Sequence, residues 1–221
     1  MPSRGILVKT MEIIPNFAVF EGGDGSGTTS QLSLLKEHFG RIQSPVFSPT
    51  FEPTDGVIGK LLRSALKGEI SLKPETMARL FAADRGEHLY GQGGVVERCA
   101  EGELVVCDRY ILSSLVYQGI ECGDEIPMAL NTPFPAPELL LFFDIDPEIA
   151  LERLKSRSSL EIYESPEFQA KVRQKYLSLL GIYRDAGVRI TIIDAAKSQQ
   201  EVFALVWSAL AEMPILKQES R

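Results

Sequence analysis

The sequence predicts an α/β fold, a three-layer sandwich in which a five-stranded parallel sheet is flanked by helices. Three observations predict it. Five short runs are apolar at both parities, namely Phe17–Phe20, Val46–Phe47, Leu104–Cys107, Leu139–Phe143 and Val188–Ile193. Two apolar faces mean a strand covered on both sides. Stretches of helical period separate the runs, at Gln31–Phe39, Thr76–Arg98, Glu148–Lys155, Phe168–Tyr183 and Glu201–Glu212. Such alternation is the pattern of parallel strands joined by helical crossovers. Polar residues and glycines then gather where the runs end, at Glu21 to Gly27, Glu52–Pro53, Asp108–Arg109, Asp144 and Asp194. An open parallel sheet builds its site at the C-terminal ends of its strands.

The bulk properties set limits. At 221 residues the chain suits one domain with a substantial core. Residues 1–15 read as a leader of no structural consequence, with Met11 an equally good start, and 16–213 as the domain. A net charge of −7 argues against a protein that coats nucleic acid, which needs a basic surface. Local arginines can still hold a small anion. Cys99, Cys107 and Cys122 form no C-x-x-C pair, so a reducing cytoplasm is the simplest setting. No apolar run reaches the roughly 18 residues of a membrane span. His38 and His88 stand apart from other candidate ligands in sequence, and no zinc site is expected.

The first strand runs into Glu21-Gly22-Gly23-Asp24-Gly25-Ser26-Gly27-Thr28-Thr29-Ser30, and an amphipathic helix leaves it. Strand, glycine turn and helix N-terminus make a phosphate-binding loop, with Gly22 and Gly27 meeting the G-x-x-x-x-G spacing. Such a loop turns successive N–H groups inward, which asks for positive φ and close backbone approach. Gly22, Gly25, Ser26, Gly27, Thr28, Thr29 and Ser30 are therefore the expected triphosphate contacts. The lysine that ordinarily follows the second glycine is absent, because position 28 is Thr.

The second strand exits into Phe51-Glu52-Pro53-Thr54-Asp55-Gly56 and a helical run with Arg63. In the next helix Phe81 and Arg85 lie four apart and share a face. An aromatic plate beside a guanidinium suits a stacked base or a phosphate, and a core Phe beside a solvated Arg is the plainer alternative. The third strand ends in Asp108-Arg109-Tyr110, followed by Ser113-Ser114 and Tyr117-Gln118. Asp108 can hold a divalent cation through water, accept a hydroxyl proton, or cap the following helix. Arg109 can grip phosphate oxygens bidentately. Arg153 and Arg157 fall at i and i+4, and the polar stretch after them reads as a flap over about 153–165.

Together these pieces resemble the thymidylate kinases, from about Asn16 to about Glu212. The resemblance rests on FEGGDGSG, FEPTDG with Arg63, LFAADRGEH, CDRYILSSLVYQG, PELLLFFDIDPE, LERLKSRSSLEIYE and VRQKYLSLLGIY. It implies a P-loop NTPase fold, phosphorylation of dTMP to dTDP with ATP and Mg²⁺, and a cytoplasmic homodimer with no nucleic-acid or membrane partner. It implies that Asp24 helps hold the monophosphate and its metal environment, and that Thr29 and Asp108 serve the metal. Phe81 resembles the aromatic stacked on thymine and Arg85 the arginine that bonds the base. Arg63 and Arg109 resemble the acceptor-phosphate clamps, with Glu52 beside them. Ser114 and Gln118 lie where the family meets the base edge, Tyr117 under the sugar, and Tyr176 where the acceptor pocket closes. Arg153 and Arg157 resemble flap arginines over the phosphates.

Three positions depart from the family pattern, and each lacks a positive charge. Thr28 replaces the loop lysine, Phe51 an arginine before Glu-Pro, and Ile162 a flap arginine. Losing one transition-state donor costs about 10²–10³ in rate. Either Arg153, Lys155, Arg157 or Arg109 supplies the charge, or the chain is a nucleotide-binding relative with reduced activity. A kinase for another pyrimidine monophosphate is a third reading, since one methyl group discriminates by only about 1–3 kcal/mol.

Overall fold

The structure, a computed structural model, describes residues 11–42, 44–155 and 165–217. In chain order these form β1 (Ile13–Gly22), α1 (Thr28–Ile42), β2 (Phe47–Phe51), α2 (Val57–Leu66), α3 (Pro74–Tyr90) and α4 (Val95–Ala100). There follow β3 (Leu104–Asp108), α5 (Ile111–Cys122), α6 (Glu125–Asn131), β4 (Ala136–Asp144) and α7 (Pro147–Leu154). The chain closes with α8 (Pro166–Asp185), β5 (Arg189–Asp194), α9 (Gln199–Leu210) and α10 (Pro214–Lys217).

The five strands form one sheet in the order β2-β3-β1-β4-β5, and every pairing is parallel. Alternate side chains divide between two cores. Phe17 and Val19 of β1, with Val105, Cys107, Leu140 and Phe142, pack against α2, α3, α4, α5 and α8. Ala18 and Phe20, with Leu104, Val106, Leu139, Leu141 and Phe143, pack against α1, α7 and α9. That is the three-layer sandwich expected from strands with two apolar faces. Proline at N1 starts α3, α7 and α8, and Ser198 with Glu201 makes a capping box at the head of α9.

Three boundaries differ from the sequence reading. β1 starts at Ile13, before the expected domain start at 16, because Ile13 and Ile14 pair with Ala136 and Pro137. Asn16, at φ 63°, carries the irregularity that separates this pairing from the main register. β2 extends to Phe51 through Ser48, Pro49 and Thr50. It lies at the sheet edge, where a proline is tolerated and one face need not be apolar. The Thr76–Arg98 helix is two helices, because the chain turns at Gly91 and at Gly93, whose φ is +65°.

Candidate functional site

The ends of β1, β2 and β3 open on a cavity of about 250 Å³. One wall is Gly23 to Ser30; the other carries Glu52, Arg63, Phe81, Arg85, Ser114, Tyr117 and Gln118, with Arg109 at the junction. Two glycines give the loop its curve, Gly25 at φ +81° and Gly27 at φ +91°. At Gly25 a Cβ would also lie 2.5 Å from the Ala150 carbonyl oxygen, so the loop is seated on α7. The N–H groups that open α1 lie at the start of the helix, where partial positive charge favours a phosphate. Ser26 Oγ is buried in this loop without a partner among the described residues, a donor left over for a ligand oxygen.

Asp108 ends β3 beside the loop. Its Oδ2 accepts from Thr29 Oγ1 at 2.6 Å, while its buried Oδ1 has no partner among the described residues. A carboxylate oxygen held open next to a hydroxyl is the donor set a hard divalent cation uses, so Thr29 and Asp108 fit one. The helix-cap role that Asp108 could have filled goes elsewhere, since Tyr110 N and Ser113 N donate to Glu21 Oε1 at 3.1 and 3.2 Å.

Arg109 has positive φ, 70°, which costs an L-residue energy and here turns its side chain back over the loop. Its guanidinium donates to Asp24 Oδ1 at 2.5 Å, to the Gly22 carbonyl at 3.1 Å and to the Tyr117 hydroxyl at 3.4 Å, and lies 5.3 Å from the Tyr117 ring centre. Asp24 also accepts from Tyr117 at 3.2 Å and from Gln169 Nε2 at 2.8 Å. Gln169 Oε1 in turn accepts from Asp24 N at 3.3 Å. Sequence reasoning missed Gln169, which lies 145 positions from Asp24 with no local motif to single it out.

On the other wall Arg85 is 1% exposed. It donates to Glu52 Oε2 at 2.7 Å, to Ser114 Oγ at 3.1 Å and to Asn131 Oδ1, and lies 5.1 Å from the Tyr110 ring centre and 5.7 Å from that of Phe134. The solvated-Arg alternative is thereby excluded. Glu52 Oε1 meets His88 Nδ1 at 3.0 Å, and Cys107 lies close enough to complete a Glu-His-Cys cluster that sequence spacing did not suggest. Burial, then the Glu52 carboxylate, push the Cys107 thiol well above its ordinary range. It stays a protonated packing group, and Glu52 is committed to Arg85, so the cluster suits structure better than a metal. Gln118 Oε1 is buried and unpartnered among the described residues, facing the cavity it lines.

Several expected residues stand elsewhere. Arg63 lines the rim, where it donates to the Pro53 and Thr54 carbonyls and to Asp55 and lies 5.4 Å from the centre of the Phe51 ring. Tyr176, expected to close the acceptor pocket, is fully buried beneath it, bonded to Ser113 and Glu21. With its hydroxyl bonded to Ser113 and Glu21 and its ring against Phe142, Tyr176 supports the pocket from beneath and does not line it. Arg153 donates to the Ala195 and Ala196 carbonyls at 2.9 and 3.4 Å, and Lys155 pairs with Glu152. Arg157, Ile162 and most of the expected flap lie outside the described residues.

A phosphate loop, an open carboxylate at the neighbouring strand end and an aromatic and arginine-lined pocket define a nucleotide-dependent phosphotransferase on a P-loop NTPase fold. The sequence profile of the thymidylate kinase family matches residues 20–206. A protein of Treponema pallidum assigned by name as a thymidylate kinase is 40% identical over 210 residues, 94% of this chain and all of the relative. Relatives from Aeropyrum pernix and Methanococcus aeolicus, named in the same way, are 37% and 35% identical. They cover 82% and 90% of this chain, and 86% and 98% of their own lengths. The chain belongs to the thymidylate kinase family, whose members use ATP with a divalent metal ion. No helix among the described residues is long and apolar enough to cross a membrane.

Proposed function

We propose that this protein transfers the γ-phosphoryl of ATP to dTMP, giving ADP and dTDP, as a cytoplasmic homodimeric kinase. The observation that carries the reading is the junction at Arg109, where one guanidinium meets the phosphate loop and the nucleoside wall of a single cavity. The loop from Gly22 to Ser30 receives the ATP phosphates through its N–H groups and the Ser26 hydroxyl. Thr29 and Asp108 hold Mg²⁺, which when bound neutralises charge on the donor phosphates.

The acceptor is already a phosphate dianion at neutral pH, since a phosphate monoester loses its second proton near pH 6. No side chain need remove a proton. A dTMP phosphate oxygen forms the new bond to the γ-phosphorus, and the bond to the β–γ bridging oxygen breaks. Positioning and charge therefore carry the catalysis. Arg109 supplies the cation that Thr28 does not, and Asp24 fixes its direction. Arg85, held by Glu52 and Asn131, presents its edge to the base, Phe81 stacks on it, and Tyr117 closes the sugar side. Arg63 exchanges loop carbonyls for the acceptor phosphate, and Arg153 and Arg157 supply further positive charge to the phosphates.

Coupled ADP-release with dTMP and Mg²⁺–ATP tests the reading against dUMP and dCMP as acceptors. Turnover that favours dTMP is expected. A clear preference for another pyrimidine monophosphate would displace the assignment.

A further inference from the structure

We propose that Glu21 is the positioning residue for Arg109: it caps α5 from the neighbouring strand and so fixes the left-handed corner that aims the guanidinium at the phosphate loop. The inference rests on the role of Arg109 in phosphoryl transfer given above.

A helix begins with four N–H groups that have no partner within it, and a side chain at the N-cap ordinarily satisfies one or two of them. At α5 the N-cap residue is Tyr110, which makes no side-chain cap. Glu21 takes over from β1. Its Oε1 accepts from Tyr110 N at 3.1 Å and from Ser113 N at 3.2 Å. Its Oε2 accepts from the Ser113 hydroxyl and, at 3.2 Å, from the Tyr176 hydroxyl. One carboxylate thereby joins β1, α5 and α8, and it is fully buried.

The residue trapped between these bonds is Arg109. Its own N–H donates to the Phe20 carbonyl at 2.8 Å, and the next N–H goes to Glu21. Adjacent anchors on successive residues of β1 hold the peptide on either side of Arg109, and they set its φ at 70°. Non-glycine residues persist in that region only where surrounding structure over-determines them. Without the carboxylate the corner is free to relax, and the guanidinium leaves Asp24 and the Gly22 carbonyl. A carboxylate is a poor packing group in a site this buried, whereas an apolar residue there would cap nothing. The interior position of Glu21 is explained by the bonds it makes.

A double-mutant cycle tests the inference, using Glu21→Gln and Glu21→Ala each alone and each combined with Arg109→Ala. Glu21→Gln keeps the shape and an acceptor for the helix N–H groups but turns an NH₂ donor toward Ser113 and Tyr176. We expect Glu21→Ala, which removes the acceptor of the Tyr110 and Ser113 N–H groups, to lower kcat at least tenfold with little change in the KM for ATP and to cost less than threefold once Arg109 is already Ala, and Glu21→Gln, which keeps that acceptor, to recover most of the loss. Strictly additive losses would assign Glu21 to packing alone and overturn the proposal. Crystal structures of Glu21→Ala and the parent protein give a readout independent of turnover. Arg109 leaving positive φ and Asp24 in the variant supports the proposal; an unmoved Arg109 contradicts it. If the parent protein lacks turnover with dTMP, the functional reading fails, while the structural comparison still decides the positioning role.

Discussion

Thr28 leaves the phosphate loop without its own cation, and the neighbouring guanidinium of Arg109 bonds both a carbonyl and a carboxylate of that loop. If Arg109 carries the missing charge, Arg109→Ala lowers kcat by about 10²–10³, the cost of one transition-state donor. Thr28→Lys then raises kcat by less than tenfold, because the charge is already supplied. A rise of several orders of magnitude in steady-state assays would show instead that the loop is short of a cation. Most of these residues were legible from sequence where chemistry and spacing coincided. Phe81 with Arg85 on one helix turn, and Asp108 with Arg109 at a strand end, are of that kind. Asn131, His88 and Gln169 were not, since each acts on a side chain more than thirty positions away. The Arg63 and Arg153 guanidiniums were legible as cations but not in direction, because a long side chain takes its direction from whichever carbonyls lie near it.

Elements set what residues can do. Burial pushes the Glu21 carboxyl from 4.5 up to about 7, against the pull of the Ser113 hydrogen bond and the Arg109 and Arg85 charges. Tyr176, Tyr183 and Cys107 also feel this carboxylate from α8 and β3. Below pH 4.5 the group is neutral folded or unfolded. As pH rises toward 7 the unfolded chain ionises first, so stability is lost across that window. At about 1.4 kcal/mol per pH unit the loss is about 3 kcal/mol. Urea unfolding between pH 4.5 and 8 should therefore show Glu21→Gln gaining on the parent protein by about that amount. A constant difference would mean that Glu21 titrates normally. Gly25→Ala tests the loop itself. With φ at +81° and Ala150 O only 2.5 Å from the new methyl carbon, it should lose at least about 1–3 kcal/mol in the same assay, together with ATP binding by calorimetry. Element types were readable from period, but ends were not. The β1 start, the β2 extent and the break at Gly91 each depended on a partner strand or a turn that local period does not report.

At the scale of the whole molecule, the sheet order puts β1 between β3 and β4, so the phosphate loop, Asp108 and Arg109 share one edge of the cavity. The strand–helix alternation made the parallel sandwich legible, and the strand-end rule located its site. What remained hidden was how the cavity's two walls are joined, through Arg109, Asp24 and Gln169, because that linkage spans most of the chain. On the proposed reading this one cavity moves phosphate from ATP to dTMP despite Thr28. The most direct measurement is Mg²⁺-dependent ADP release with ATP and dTMP, compared with the Thr29→Ala, Asp108→Ala double variant. dTMP-dependent turnover is expected in the parent protein and falls by at least 10²-fold in the variant. Turnover in the parent protein no greater than in that variant would contradict the reading.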